Sequence, residues 1–332
     1  MTEGVQVISK ATNSSRTEAR FISSLTGGRG AVLALGGLDL ERKKKYYLSK
    51  KKVKTCTSIS GGRTSAYLAA NYPTDYNVFA LVRTDDPGCK FPDNKLRQVV
   101  EDRIQKPFIG TLEDDLIITT ILDLEQHLGK EISWVSGLTY DELIRSKGDY
   151  LPNKVGRYCT SEMKINPMFY WWSENVGEPM VMQIGFRANE GKRAKTMQDK
   201  TNENGLLEFK ATFGKNARGQ NKWEQVEWQK PIFPLIENGI FKDHIQAYWD
   251  KNPVRFAPFN NCVGCFHRNP IFLRKMADAH PNKMEWFARQ EEKERGGQWR
   301  SDVRYRDIIK TQLQIELSFD DFNECDSGYC GL

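Results

Sequence analysis

The sequence predicts an α/β protein: a doubly wound, mostly parallel sheet followed by a small helical, cysteine-bearing C-terminal subdomain. Three observations carry that expectation. From about residue 53 to 235, short runs rich in β-branched residues alternate with helical stretches, the pattern of parallel strands joined by helices. Two adjacent glycines, Gly61 and Gly62, follow the first run, where such sheets bind ligands. Beyond about 236 the strand signals fade, leaving helices, a Cys-x-x-Cys loop and an irregular tail.

Taken in order, "VKTCTSIS" reads as the first strand and "RTSAYLAANY" as a helix that stops at Pro73. "NVFALVRT" has the length and composition of a second strand, and residues 93–106 read as a helix. "EISWVS" is a third strand. Residues 160–176 form a helix with Pro167 inside it, and "PMVMQIGF" is a further strand. "FYWW" at 169–172 suits the core face of its helix better than a stacking platform, and "EEKERGGQWR" reads as a solvated helix end and turn. His127, His244 and His280 have no sequence neighbours that would make them catalytic.

The 332 residues leave room for one large or two modest domains with a real core. We divide them into an extension over 1–52, the α/β domain over 53–235 and the cysteine subdomain with its tail over 236–332. No stretch approaches the roughly 20 apolar residues that cross a bilayer, and "AVLAL" is too short for a signal core. The expectation is a cytoplasmic protein without a membrane partner. The net charge of +6 is unevenly spread: residues 1–54 hold 12 Lys/Arg against 4 Asp/Glu, and the remaining 278 hold 37 against 39. The front end, with "RKKKYYLSKKKVK", reads as a nucleic-acid arm or a localisation signal, or else as a solvated, flexible leader.

Glycines between a strand and a helix permit positive φ and let backbone N–H groups approach a ligand. The helix start adds unpaired N–H groups and partial positive charge. With the hydroxyls of Ser58, Ser60, Thr64 and Ser65, this junction suits phosphate or sulfate. It is neither a Walker A loop nor a G-x-G-x-x-G fingerprint. The seven cysteines, at 56, 89, 159, 262, 265, 325 and 330, include Cys262-Val-Gly-Cys265, which points to metal or redox chemistry rather than structural disulfides. Structural zinc, completed by Cys159 or His267, is one outcome. Cys56 and Cys89 read as buried or incidental.

The segment S-x-S-G-G-R-T-S resembles the PP-loop of the adenine nucleotide alpha-hydrolase superfamily, and other segments resemble its phosphoadenosine phosphosulfate (PAPS) reductase branch. "RYCTSEMKINP" is similar to Arg-Cys-Cys-x-x-x-Lys-x-x-Pro, with Cys159, Lys164 and Pro167 in register. "IGFRANEGKR" is similar to Gly-x-Arg-x-x-Glu at Gly185, Arg187 and Glu190, with Arg193 about one residue early; "KPIFPL" and the Cys-x-x-Cys follow. The likeness spans roughly 53–268.

That resemblance implies an enzyme in which Ser58, Ser60, Gly61, Gly62, Arg63, Thr64 and Ser65, with Gly185, Arg187 and Arg193, bind an adenine nucleotide: adenylyl sulfate, PAPS or ATP. Arg187, Arg193 and Lys164 would converge on the remaining phosphate or sulfate charge. It also implies a [4Fe–4S] cluster on Cys159, Cys262 and Cys265, because Thr160 replaces one of the family's four cysteines. The tail Tyr329-Cys330-Gly331-Leu332 resembles in part the family's Glu-Cys-Gly-Leu-His segment, which makes Cys330 a candidate nucleophile, with Cys330 or Cys325 as the competing fourth ligand. Lys164 and Arg187 would assist catalysis. The simplest activity is reduction of a sulfonucleotide with a thiol or electron donor protein. The alternatives are ATP-dependent sulfur insertion into nucleic acid, with Mg²⁺ accompanying ATP, and a non-catalytic nucleotide-binding partner subunit. ATP-cleaving members usually carry Asp where this chain has Thr64, which weakens the case for metal-assisted ATP cleavage.

Overall fold

A computed structural model describes residues 52–312 apart from 261 and 296; the basic leader and Cys325 and Cys330 lie outside the described residues. The first half runs β1 (Thr55–Ile59), α1 (Arg63–Asn71), β2 (Tyr76–Ala80) and a two-residue β3 (Arg83–Thr84). It continues through α2 (Asn94–Ile104), β4 (Gly110–Thr111), α3 (Leu116–Leu128) and β5 (Ser133–Val135). Local signals set these limits. Asp93 Oδ1 caps α2 by accepting from Lys95 N and Leu96 N at 2.8 and 3.1 Å. Gly129, at φ 58°, ends α3.

After α4 (Tyr140–Ser146), a continuous helical stretch α5 covers Tyr158–Thr160, a π-helical turn at Ser161–Ile165, and Asn166–Asn175. Pro167 lies inside this continuous stretch, directly after the π-helical turn, where it has no N–H to donate back to the preceding turn. Then come β6 (Met180–Gln183), α6 (Gly191–Gln198), β7 (Leu207–Lys215) and β8 (Asn221–Ile232). The C-terminal part adds α7 (Pro234–Glu237), α8 (Lys242–Trp249), α9 (Pro270–Ala279), α10 (Pro281–Glu291) and α11 (Tyr305–Lys310).

Six strands form one sheet in the order β5-β2-β1-β6-β8-β7, parallel except for the β7–β8 hairpin. The sheet grows from β1 through β2 to β5, then returns to the other side of β1 with β6. That reversal opens a crevice at the carboxyl ends of β1 and β6, the place where open α/β sheets bind ligands. The two faces are built by strict alternation. Ile59, Phe79 and Trp134 pack on one side with Leu68 of α1 and Ile117, Ile118 and Ile121 of α3. Cys56, Val78, Ala80 and Val135 pack on the other with Met168, Phe169 and Trp172 of α5 and Ala194 and Met197 of α6. Helices on both faces make this an α/β fold compatible with double winding.

A third core joins Val82, Leu112, Tyr140 and Met163 to Val263, Phe266, Leu273, Trp286, Phe287, Trp299 and Tyr305. The C-terminal helices therefore bury their apolar faces against residues 82–163 as well as against one another. One expectation is corrected here. "EEKERGGQWR" is not a solvated end throughout: Trp299 is fully buried, Arg300 and Glu291 are buried, and Glu291 Oε1 and Oε2 accept from Trp299 N and Tyr305 N. Several elements were not anticipated, among them helices α3, α4 and α6 and the β7–β8 hairpin.

Trp286 concentrates this third core. Its ring meets Tyr140 at 5.3 Å and Phe287 at 5.0 Å, and its Nε1 donates to Asp141 Oδ1 at 2.9 Å. Trp286→Ala should lower unfolding free energy by about 3–5 kcal/mol, read as a shift in urea midpoint. A shift equivalent to less than about 1 kcal/mol would mean that the C-terminal helices do not unfold with the sheet.

Candidate functional site

The turn after β1 has a shape that its sequence explains. Gly61 sits at φ 76°, and a Cβ there would lie 2.6 Å from Ile117 Cγ2, so the position demands glycine twice over. Gly62 is different. Its φ is −100°, so the left-handed conformation expected of the pair belongs to Gly61 alone. What Gly62 needs is space: a Cβ there would overlap the carboxamide of Asn260, two residues before Cys262. The glycine loop and the cysteine loop therefore meet at this point.

Ser65 clasps the loop. Its Oγ accepts from Ser60 N at 3.0 Å, donates to Gly62 O at 3.2 Å and lies 3.1 Å from Ser60 Oγ. Gly62 gives α1 no side-chain cap, so the first-turn N–H groups of Arg63 and Thr64 border the crevice without one. Gly185, after β6, closes the other side: a Cβ there would be 3.4 Å from both N and Cα of Ser65. The segments around Ser60–Ser65 and Gly185 are thus brought together. The Arg63 side chain takes another direction. Its guanidinium carbon lies 5.4 Å from the Phe256 ring centroid, and its carbonyl accepts from Trp249 Nε1 at 2.9 Å. We therefore assign Arg63 to bracing the loop and Ser65 to holding its shape.

Arg187 and Arg193 share one carboxylate. Glu190 Oε2 accepts from Arg187 N at 2.8 Å and Arg187 Nε at 3.2 Å, and Glu190 Oε1 pairs with Arg193. Arg193 also lies over the Phe186 ring at 4.2 Å. Burial alone would raise the Glu190 carboxyl; the Arg187 N–H and the two guanidiniums outweigh it and hold the group below the ordinary range. Lys164, expected to join these arginines, is paired instead with Glu113 Oε1 at 3.0 Å beside the cysteines.

Cys159, Cys262 and Cys265 are brought into one electrostatic neighbourhood around Tyr140, whose hydroxyl is hydrogen bonded to Cys159. Burial raises the Cys159 thiol, opposed by Tyr140 and Lys164. Cys262 is pushed well above the ordinary thiol range by burial and then by Glu113, with Lys164 opposing. Burial, with Arg157, Lys154 and Arg300 nearby, brings His267 down to about 4, which leaves its imidazole neutral at pH 7. Among the described residues no set of three or more His, Cys, Asp or Glu side chains is arranged to hold a metal ion. Cysteine thiolates are the usual ligands of iron–sulfur clusters, in which each binds its own iron. Cys56 and Cys89 are buried, and burial lifts Cys89 to about 12.

Several site residues were not anticipated. Glu113 is buried, forms an isolated bridge with Cys262, and leaves Oε2 without a partner among the described residues. Lys283 Nζ donates to Glu113 O at 2.6 Å and to Asp115 Oδ1 at 2.7 Å, and His280 Nε2 lies 3.3 Å from Asp114 Oδ2. The run Glu113-Asp114-Asp115 at a strand end was the available signal, as three carboxylates there need partners. No family model, no curated protein and no solved structure matches the chain. No helix among the described residues is long and apolar enough to cross a membrane.

The Glu190 pair gives a pH test. A carboxyl lowered from its ordinary value of 4.5 contributes stability above that pH and loses it as pH falls through the folded-state value. Glu190→Gln should therefore be less stable than wild type at pH 7, with the gap closing below about pH 4.5. An identical deficit at pH 7 and pH 3.5, by urea unfolding, would show that charge is not what Glu190 contributes.

Proposed function

We propose that this chain is a PAPS-reductase-family enzyme with an adenine nucleotide alpha-hydrolase-like sheet. It binds an adenine nucleotide at the glycine loop and carries out thiol- and iron–sulfur-dependent sulfur chemistry, most simply reduction of a sulfonucleotide. The observation that supports this best is the approach of Asn260 to Gly62, which sets a loop suited to phosphates against the loop bearing Cys262 and Cys265.

In this proposal the first-turn N–H groups of α1 and the hydroxyls of Ser60 and Thr64 receive the phosphates. Arg187 and Arg193, held together by Glu190, supply positive charge from the loop after β6. The Cys330 thiolate attacks the sulfur of the sulfonucleotide. An S–S bond forms, the S–O bond to the nucleotide breaks, and the nucleotide leaves with the bonding pair. A donor thiolate then attacks the Cys330 sulfur, releasing sulfite and leaving a disulfide between donor and enzyme. Cys159, Cys262 and Cys265 would hold the cluster, with Lys164 and Tyr140 beside them. When bound, that group supplies iron that stabilises the buried thiolates and tunes the potential of the site.

A second reading, ATP-dependent sulfur insertion into nucleic acid, is favoured by the count of three cysteine ligands rather than four. Anaerobic titration of one preparation with ATP, adenylyl sulfate and PAPS separates the two. We expect preference for the sulfated nucleotides; preference for ATP would move the assignment to the second reading. Gly62→Val should weaken the preferred nucleotide at least tenfold, about 1.4 kcal/mol. Unchanged affinity in a folded Gly62→Val protein would remove the site.

The cysteine assignments have their own readouts. Protein purified without oxygen should be brown and contain iron and sulfide. Alanine at Cys159, Cys262 or Cys265 should abolish the colour. A colourless anaerobic preparation with stoichiometric zinc would establish a structural metal site instead. Cys330→Ser should keep colour and nucleotide binding but lose turnover; loss of the cluster signal would make Cys330 a ligand.

A further inference from the structure

The β7–β8 hairpin extends well past the sheet it belongs to. Only Gln229–Ile232 of β8 pair with β6, whereas residues 221–228 precede that ladder and pair with β7. Eight strand residues span about 25 Å at ~3.3 Å each. The ribbon therefore leaves the sheet at the amino ends of its parallel strands, opposite the glycine loop.

Its two faces differ. Phe209, Ala211, Val226 and Trp228 point inward and pack in the core shared with α5 and α6. On the outward face Lys210 stands opposite Gln225 and Thr212 opposite Trp223. Trp223 is 54% exposed, and Lys210 Nζ lies 5.8 Å from its ring centroid. At the tip, residues 215–223 are all exposed and include Lys215, Arg218 and Lys222. Residues 210–224 hold four cations and a single carboxylate, Glu224, which Lys222 pairs at 2.6 Å. Asn216 orders the turn: its Oδ1 accepts from Arg218 N at 2.9 Å and Gln220 N at 3.0 Å.

An exposed indole with cations spaced along a preorganised ribbon matches two features of one ligand class. Phosphates at regular intervals meet the lysines and the arginine, and an unstacked base has a free face for the indole. A duplex presents phosphates but buries its base faces, so it would leave Trp223 without a partner. An acidic protein would meet the cations without using the aromatic ring.

We propose that the β7–β8 hairpin is a docking arm for single-stranded nucleic acid, with Trp223 stacking on a base and Lys210, Lys215 and Arg218 contacting phosphates. The arm anchors the strand away from the glycine loop, so it stands independently of the nucleotide assignment.

The test is fluorescence anisotropy with the full chain and labelled oligo(dT), oligo(U) and a duplex, each longer than ~16 nucleotides. Wild type should bind both single strands more tightly than the duplex. Trp223→Ala should weaken single-strand binding roughly tenfold. The double variant Lys215→Glu/Arg218→Glu should flatten the slope of log affinity against log salt by about 1.4, two contacts at ~0.7 each. Both variants should melt with wild type, as the substituted positions are exposed. Wild-type affinity and slope in both variants would overturn the proposal by assigning binding to another part of the chain, such as the basic leader. So would the absence of oligonucleotide binding, or binding only to phosphatidylserine vesicles.

Discussion

Two loops that belong to distant parts of the sequence meet where the Asn260 carboxamide rests against Gly62. This approach restricts everything around it. Gly62 must lack a side chain, Gly61 must turn left-handed to present it, and Ile117 must leave room for that turn. The cysteine loop must also be held still, although it has little regular hydrogen bonding of its own. Two buried arginines do this. Arg268 donates to the carbonyls of Asn260 and Cys262, and Arg300 Nη1 donates to those of Phe266 and Arg268 at 2.9 and 2.6 Å. Irregular buried backbone leaves carbonyls that would otherwise go unpaired, and a guanidinium can serve several of them at once.

The same junction is braced from the side by the residues linking β4 to α3. Lys283 reaches from α10 to Glu113 O and Asp115, and His280 reaches Asp114. Glu113 faces Lys164 on α5 and bridges to Cys262. Buried charges such as these persist only when paired, and removing one partner strands the other. A short stretch of acidic chain thereby couples the glycine turn, through Ile117, to the cysteine loop, through Glu113.

The α/β class and the glycine turn were legible because periodic apolar runs and paired glycines report local geometry directly. The strands Thr55–Ile59, Ser133–Val135 and Met180–Gln183 fall inside the runs that signalled them, whereas Tyr76–Ala80 begins one residue before its run, whose far end forms the separate Arg83–Thr84. Helix α3 was not anticipated, although Ile117, Ile118, Ile121 and Leu124 recur at helical spacing on its buried side and Thr119, Asp123 and Gln126 on the other. The hairpin was obscured by its composition: Gly, Lys, Asn and Gln dilute the β-branched signal, and its pairing comes from one flank packed on Phe169 and Trp172. Asn260 could not have been picked out, because a carboxamide beside a glycine 198 positions earlier is a product of tertiary packing alone. Lys164 shows the converse. The family resemblance grouped it with Arg187, but the buried Glu113 carboxylate pairs with it at 3.0 Å.

The electrostatics of the cysteine neighbourhood carry the physical case furthest. Burial raises Cys159 and Cys262, and a carboxylate beside Cys262 raises it more. Left to themselves, these groups are neutral thiols at pH 7, stable in an apolar setting and poor nucleophiles. Tyr140 and Lys164 oppose that tendency but do not reverse it at Cys159. Turning several such thiols into thiolates therefore requires added positive charge, and metal binding would release their protons as it supplies that charge. An attacking thiolate must be deprotonated at the working pH, which the raised thiols of Cys159 and Cys262 are not. At Cys159 and Cys262 the raised thiols therefore weigh against a nucleophilic role at pH 7.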